Sequence, residues 1–116
     1  MNLRVSITAL AIAAIAAPAT GHAFLNRAQP GAGATLTSAP KRIVLVFSER
    51  LEPAFSGIAV TDSSGRNVEA APSATNGNAI VAPLRPLPPG TYRVAWHAVS
   101  VDTHRTQGAY SFTVKP

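Results

Sequence analysis

The sequence predicts an all-β fold, a sandwich of two antiparallel sheets. Six or so short runs of β-branched and aromatic residues follow one another at regular spacing, each bounded by polar or turn-forming residues. The chain contains ten prolines, which break helices, and no stretch has the apolar periodicity of a helix. Strands of this kind bury their apolar faces by packing two sheets together.

Each predicted strand ends at a recognisable turn. In chain order, we predict strands at 43–47, 57–61, around Val68, at 80–84, 92–99 and 108–114. Turn formers separate them, notably at 62–65, in a polar loop at 73–78, and at 87–90 before the longest strand. Residues 29–34 are also rich in turn formers and are not expected to be helical. Trp96, in the longest strand, is expected to be the buried central aromatic residue.

Residues 1–21 have the composition of a secretory signal peptide and are left out of the predicted fold. Arg4 supplies a positive start, residues 7–17 form an apolar run rich in Ala and Ile, and residues 18–21 are a small-residue cleavage region. The apolar run is shorter than the roughly 18 residues that a membrane span needs. We therefore predict an exported, soluble mature domain at 22–116.

The position of the cut decides which residue begins the mature chain. Ala19 and Gly21 fit the small-residue pattern for a cut that makes His22 the first residue. Gly21 and Ala23 fit it about as well and would discard His22, whereas a cut after Ala19 would leave two residues in front of it. A chain that begins with His22 can hold one metal ion between its amine nitrogen and its ring Nδ1, in a six-membered chelate.

Composition limits the kind of site that the mature chain can build. The formal net charge is +5, but the basic residues are spread singly along the chain, without the clusters typical of nucleic-acid binding. Cysteine is absent, and the one methionine is Met1. Any metal site must therefore use nitrogen and oxygen ligands.

An Asp-x-His pair follows the longest strand. If that strand stays regular, side-chain alternation gives it a core-facing side made of Val94, Trp96, Ala98, Ser100, Asp102 and His104. Asp102 and His104 then emerge together, and one carboxylate oxygen and one imidazole can reach a common point. Taken alone, such a pair is more typical of a solvated loop in which Asp102 caps a turn. His97 has the opposite parity and is expected on the outer face as a surface or cross-strand residue.

Several motifs run in order along the mature chain. They are H-A-F-L from His22, Q-P-G-A-G-A-T-L from Gln29, A-P-K-R-I-V-L-V-F-S-E-R-L from Ala39, F-S-G-I-A-V-T-D-S-S-G from Phe55, L-P-P-G-T-Y-R-V-A-W from Leu87 and V-S-V-D-T-H-R-T-Q-G-A-Y-S-F-T-V from Val99. Together they resemble the CopC family of periplasmic copper-resistance proteins. The resemblance implies an immunoglobulin-like Greek-key β-sandwich of about seven strands, although the cysteine pair of true immunoglobulin domains is missing.

The resemblance also implies a set of metal ligands. In that family, the mature amino-terminal histidine and an Asp-x-His pair bind Cu(II), which carries over to His22, through amine and imidazole, with Asp102 and His104. The F-S-E motif adds Glu49 as a nearby weak or axial carboxylate. This ligand set suits one Cu(II) per chain, and the resemblance favours the cut before His22. The amine must lose its proton to bind, so affinity is expected to weaken as pH falls.

The chain departs from the family in two ways. The family loop usually reads A-D-G-H-P, whereas residues 101–105 read V-D-T-H-R, which keeps both ligand types and their spacing. Some members carry a methionine-rich Cu(I) site, and the absence of methionine after Met1 implies that this chain has none.

The resemblance implies a periplasmic copper carrier or buffer in copper homeostasis or resistance, without turnover. A CopD-type inner-membrane protein is the partner it suggests for receiving Cu(II). We expect a monomer that binds no nucleic acid. The alternative is an oxidative copper enzyme, because an amino-terminal histidine brace also resembles that of the lytic polysaccharide monooxygenases. The short chain, the lack of an evident aromatic substrate face and an equatorial Asp102 favour the carrier.

Overall fold

The computed structural model describes residues 23–116, which form a β-sandwich of two four-stranded sheets. The strands are β1 Leu25–Gln29, β2 Thr35–Leu36, β3 Arg42–Phe47, β4 Gly57–Thr61, β5 Ala74–Asn76, β6 Ala79–Pro83, β7 Gly90–Val99 and β8 Arg105–Val114, with one turn of 3-10 helix at Pro53–Phe55. One sheet has the order β1-β3-β6-β5 and the other the order β2-β8-β7-β4. The predicted all-β sandwich is confirmed. Within the described range, no helix has the length and apolar character needed to cross a membrane.

The core forms where alternating side chains of the two sheets face each other. In β3, Ile43, Leu45 and Phe47 are fully buried, and the residues between them are only partly buried. The buried cluster consists of Ala23, Ile43, Leu45, Phe47, Leu51, Ile58, Val60, Ile80, Ala82, Leu84, Leu87, Tyr92, Val94, Ala98, Phe112 and Val114. Burying one large apolar side chain contributes about 1.5–3 kcal/mol. Apolar packing is thus the main source of stability in a chain without cysteine.

The strands predicted at 43–47, 57–61, 80–84, 92–99 and 108–114 are confirmed to within a few residues, whereas three of the four edge strands were missed. The edge strands β1, β2 and β5 were not predicted, because their residues are mostly polar and exposed. β2 pairs with β8 in parallel, so the sandwich is not wholly antiparallel. The short strand predicted around Val68 was also wrong, since this region has only isolated bridges, from Asn67 to Thr61 and from Glu69 to Leu84.

The aromatic centre of the core differs from the prediction for Trp96. Phe47 and Phe112 are the fully buried aromatic residues, whereas Trp96 is only partly buried. The Trp96 ring meets Phe47 edge-on, with 5.1 Å between ring centroids. The indole also lies against Gly108, where an added Cβ would be 2.7 Å from the ring. A side chain at position 108 would therefore displace the indole.

One end of the sandwich gathers segments that are distant in the sequence. β7 ends and β8 begins there, and the connection from β3 to β4 packs alongside them. Leu51 forms a bridge with Ser100, and the Glu52 amide donates to the Val99 carbonyl oxygen over 2.8 Å. This end carries the predicted ligands that the structure describes.

Candidate metal centre

Asp102 and His104 lie in a tight turn between β7 and β8. The Ser100 amide donates to the His104 carbonyl oxygen over 2.9 Å, and the Thr103 amide donates to the Ser100 carbonyl oxygen over 2.7 Å. The regular strand predicted as far as His104 therefore stops before Asp102, since β7 ends at Val99. It is the turn, and not alternation along a strand, that brings the two side chains together.

The carboxylate of Asp102 contacts the ring of His104. Asp102 Oδ1 lies 3.3 Å from His104 Nδ1 and also accepts a hydrogen bond from Ser100 Oγ. The bond from Ser100, followed by those from the ring and amide of His104, holds the pKa of Asp102 below its ordinary value. Asp102 is thus anionic at neutral pH. The side chains of Asp102 and His104 are 46% and 53% exposed, which leaves both within reach of an ion from solvent.

This contact determines which donor atoms the pair would offer to a cation. A neutral imidazole that donates from Nδ1 to a carboxylate carries its lone pair on Nε2, the nitrogen it would present to a metal. The carboxylate adds a negative oxygen donor beside it. An exposed imidazole nitrogen next to a carboxylate oxygen fits a borderline divalent ion such as Cu(II) or Zn(II).

Thr103, between the two candidate ligands, has a backbone conformation that favours glycine. Its φ of 76° is the only positive value for a non-glycine residue in the part of the chain that the structure describes. A side chain in the left-handed region costs about 1–2 kcal/mol, and a β-branched one fits there poorly. Strain of this kind often accompanies functional sites.

The matched substitutions Thr103→Gly and Thr103→Ala test this strain. Both remove the hydroxyl, so their difference isolates the effect of Cβ. In an unstrained position the alanine protein would be more stable, by about 0.5–1 kcal/mol. At a φ of 76° we expect the reverse, with the glycine protein more stable by about 1 kcal/mol in denaturant unfolding without metal. A more stable alanine protein would contradict the assigned backbone conformation.

Glu49 lies in the segment that borders this turn. The Ser48 amide donates to the Phe24 carbonyl oxygen over 2.9 Å, and the Val101 amide donates to the Arg50 carbonyl oxygen over 3.1 Å. Glu49 is partly buried and lies in the sequence between these two hydrogen-bonded residues, Ser48 and Arg50. Across residues 23–116, however, no three His, Cys, Asp or Glu side chains form a group that could hold a metal ion. Coordination by Glu49 stays a prediction.

The first described residue is attached beside the same turn. Ala23 is fully buried, and its carbonyl oxygen accepts a hydrogen bond from Thr106 Oγ1 over 2.9 Å. Thr106 follows His104 by two residues. His22, predicted to chelate the metal, lies outside the described residues, and its role stays a prediction.

His97 lies apart from this site, as its parity predicted. It is exposed on the outer face of the second sheet, where it pairs with Gly57 on β4 and Gln107 on β8. Its ring packs over Gly57, since a Cβ added there would lie 3.2 Å from His97 Cε1.

The chain matches a known protein family over most of its length. A family model described as the CopC domain matches residues 25–115, nearly the whole described range. The chain belongs to the CopC family. The resemblance found in the sequence is thereby confirmed, and with it membership of a family of copper-resistance proteins.

Individual relatives match this chain over most of their length. Protein YobA of Escherichia coli K12 is 39% identical over 118 residues, which span 98% of this chain and 95% of that relative. The crystal structure of CopC from Methylosinus trichosporium OB3b shares 33% identity with a TM-score of 0.76, covering 82% of this chain and 95% of that chain. PcoC, a methionine-rich copper-resistance protein from Escherichia coli, shares 40% identity with a TM-score of 0.66, covering 81% and 99%.

Two features of this candidate site were missed in the sequence. Ser100 was placed on the core-facing side without a role, although a serine two residues before the Asp-x-His pair was a usable signal. The strain at Thr103 was missed as well, although the usual family loop has glycine there.

Proposed function

We propose that this CopC protein is exported to the periplasm and carries or buffers one Cu(II) ion per chain in copper homeostasis or resistance, without turnover. The exposed contact between Asp102 and His104 is the observation that carries this proposal, because it pairs two copper-type donors at one end of the sandwich. Membership of the CopC family supports it.

The attachment of Ala23 supports a role for His22. Across a trans peptide bond, consecutive Cα atoms are about 3.8 Å apart. The Ala23 carbonyl oxygen accepts a hydrogen bond from Thr106, two residues after His104. A chain that begins at His22 can therefore bring its amine and imidazole to the same ion. The burial of Ala23 also favours its retention in the mature protein. A mature domain at 22–116, after a signal peptide at 1–21, is therefore part of the proposal.

Four residues would hold the copper ion in this proposal. His22 contributes its amine and Nδ1, and His104 and Asp102 complete the principal donors. Glu49 acts as a nearby weak or axial carboxylate. Such nitrogen and oxygen donors suit Cu(II), which also stands at the top of the divalent affinity order. The negative charges of Asp102 and Glu49 offset that of the ion.

The chain has no donors for a second site based on methionine sulfur. Its one methionine is Met1, in the proposed signal peptide. We therefore propose no Cu(I) methionine site, in contrast to the methionine-rich PcoC. A copper carrier also needs an acceptor, for which we propose a CopD-type inner-membrane protein. We propose that the carrier acts as a monomer and binds no nucleic acid.

Mass spectrometry of the exported protein, combined with Cu(II) titration, tests the proposal. We expect a chain that begins at His22 and binds one tight equivalent of Cu(II). A chain that begins at Phe24 would contradict the amino-terminal chelate. A chain that begins at His22 and binds no Cu(II) would contradict the function itself. Peroxide-driven oxidation of a polysaccharide by the copper-loaded protein would instead favour the oxidative enzyme.

A further inference from the structure

Ser100 is the one polar residue with a buried side chain among residues 23–116, and its exposed fraction is 0%. A buried hydroxyl costs free energy unless it forms hydrogen bonds, so its partners indicate why it is there. Ser100 lies directly after β7, where it bridges to Leu51. It is therefore held between β7 and the neighbouring loop, beneath the turn.

All three polar groups of Ser100 are directed at the residues of the turn. Its amide donates to the His104 carbonyl oxygen over 2.9 Å, and its carbonyl oxygen accepts from the Thr103 amide over 2.7 Å. Its hydroxyl donates to Asp102 Oδ1 and lies 3.3 Å from the His104 carbonyl oxygen. Any residue except proline could make the two backbone bonds, but the bond to Asp102 needs a side-chain donor, here the hydroxyl.

We propose that Ser100 is a positioning residue of the copper site, which holds the Asp102 carboxylate against His104 from beneath the turn. This inference rests on the proposed function, because the bound copper ion is what the two side chains are positioned for. Asp102 Oδ1, held by the Ser100 hydroxyl, faces His104 Nδ1 at 3.3 Å. The Ser100 hydroxyl thus orients the carboxylate directly and the imidazole through it.

Positioning of this kind reduces the ordering that metal binding requires. Asp102 and His104 are both about half exposed and would otherwise sample several rotamers. A buried partner that selects one carboxylate orientation removes part of that freedom before the metal arrives. Loss of a residue that orients a metal ligand typically lowers metal affinity by 10-fold to 100-fold.

The substitution Ser100→Ala tests the proposal, because it removes the hydroxyl and leaves the backbone bonds possible. We expect Cu(II) affinity, measured by competition with a chelator, to fall about 10-fold, and the copper EPR spectrum to change. Ser56→Ala is a matched control at the same end of the sandwich. Its hydroxyl accepts from the Val99 amide, at the end of β7, over 3.0 Å, so we expect wild-type affinity and EPR. Wild-type values for Ser100→Ala would overturn the proposal.

A second background separates positioning from a general effect on the turn. If Ser100 acts through Asp102, Ser100→Ala should cause no further loss of affinity in a protein that already carries Asp102→Ala. An equal loss in that background would contradict action through Asp102. Nitrogen-15 NMR of the metal-free wild-type protein tests the orientation of the His104 ring without any substitution. We expect the Nδ1–H tautomer of His104, and the Nε2–H tautomer would contradict the proposed orientation.

The same measurements separate this inference from the proposed function. A wild-type protein beginning at His22 that takes up no Cu(II) would contradict both. A wild-type protein that binds Cu(II), with an unchanged Ser100→Ala protein beside it, would contradict the role of Ser100 alone.

Discussion

A chain with one extra residue ahead of His22 is expected to bind Cu(II) about 100-fold more weakly than a chain that begins at His22. The extra residue converts the amine of His22 into a peptide nitrogen and moves the new amine away from the imidazole. The two donors then no longer form one chelate ring. Two linked binding groups have an affinity roughly 10²- to 10⁴-fold higher than separate groups, and the expected 100-fold loss is the lower end of that range. A chelator competition titration measures the loss, and copper EPR shows whether a nitrogen donor has changed.

The control for this experiment comes from the extended protein itself. A site-specific protease that removes the extra residue should restore both the affinity and the EPR spectrum of the chain beginning at His22. Equal affinities and spectra before and after cleavage would mean that the amine is not a ligand. The brace would then be wrong, although a site built around Asp102 and His104 could still bind the ion.

The substitution His104→Ala is expected to weaken Cu(II) binding by about 100-fold or more. Residues that only orient a ligand typically cost 10-fold to 100-fold, and a direct ligand should cost at least the upper value. The ring of His104 is also the partner that Asp102 Oδ1 faces at 3.3 Å, so its removal leaves the carboxylate less well placed. Chelator competition gives the affinity, and the loss of one imidazole nitrogen should appear in the EPR spectrum.

His97→Ala is the matched control for this second substitution. Both histidines are exposed and belong to the β7–β8 hairpin, but His97 lies on the outer face over Gly57. We expect His97→Ala to keep wild-type copper affinity. Without metal, the free energy of unfolding should change by no more than about 0.5 kcal/mol in either variant, as is usual for surface positions. A large loss of affinity with His97→Ala alone would indicate that the copper site lies on the outer face.

The fold could be predicted where burial governs the sequence pattern. β3 and β7 lie in the middle of their sheets, and their apolar or alternating residues are the pattern that predicts a buried strand. β2 and β5 are edge strands of two and three residues with little apolar content. Their existence depends on the strand beside them, which pairs with them through backbone hydrogen bonds that carry no sequence signal.

For the candidate site, the contact between Asp102 and His104 could be predicted, but not the geometry that produces it. Asp102 and His104 were expected to meet because of strand alternation, whereas a turn with a left-handed Thr103 brings them together. The two side chains do meet, as predicted, but for a different structural reason. Alternation did correctly separate His97 from them, because His97 lies inside a regular strand.

Composition and pattern alone determined which donors this chain can offer and how its central strands are built. With no cysteine and no methionine after Met1, residues 2–116 can present only nitrogen and oxygen to a metal. The tertiary structure alone decided that Ser100 is buried beneath the turn and that Ala23 is bonded to Thr106, 83 residues away along the chain. Such contacts depend on how two sheets pack over a shared core. A local pattern of residues cannot predict a contact between positions so far apart in the sequence.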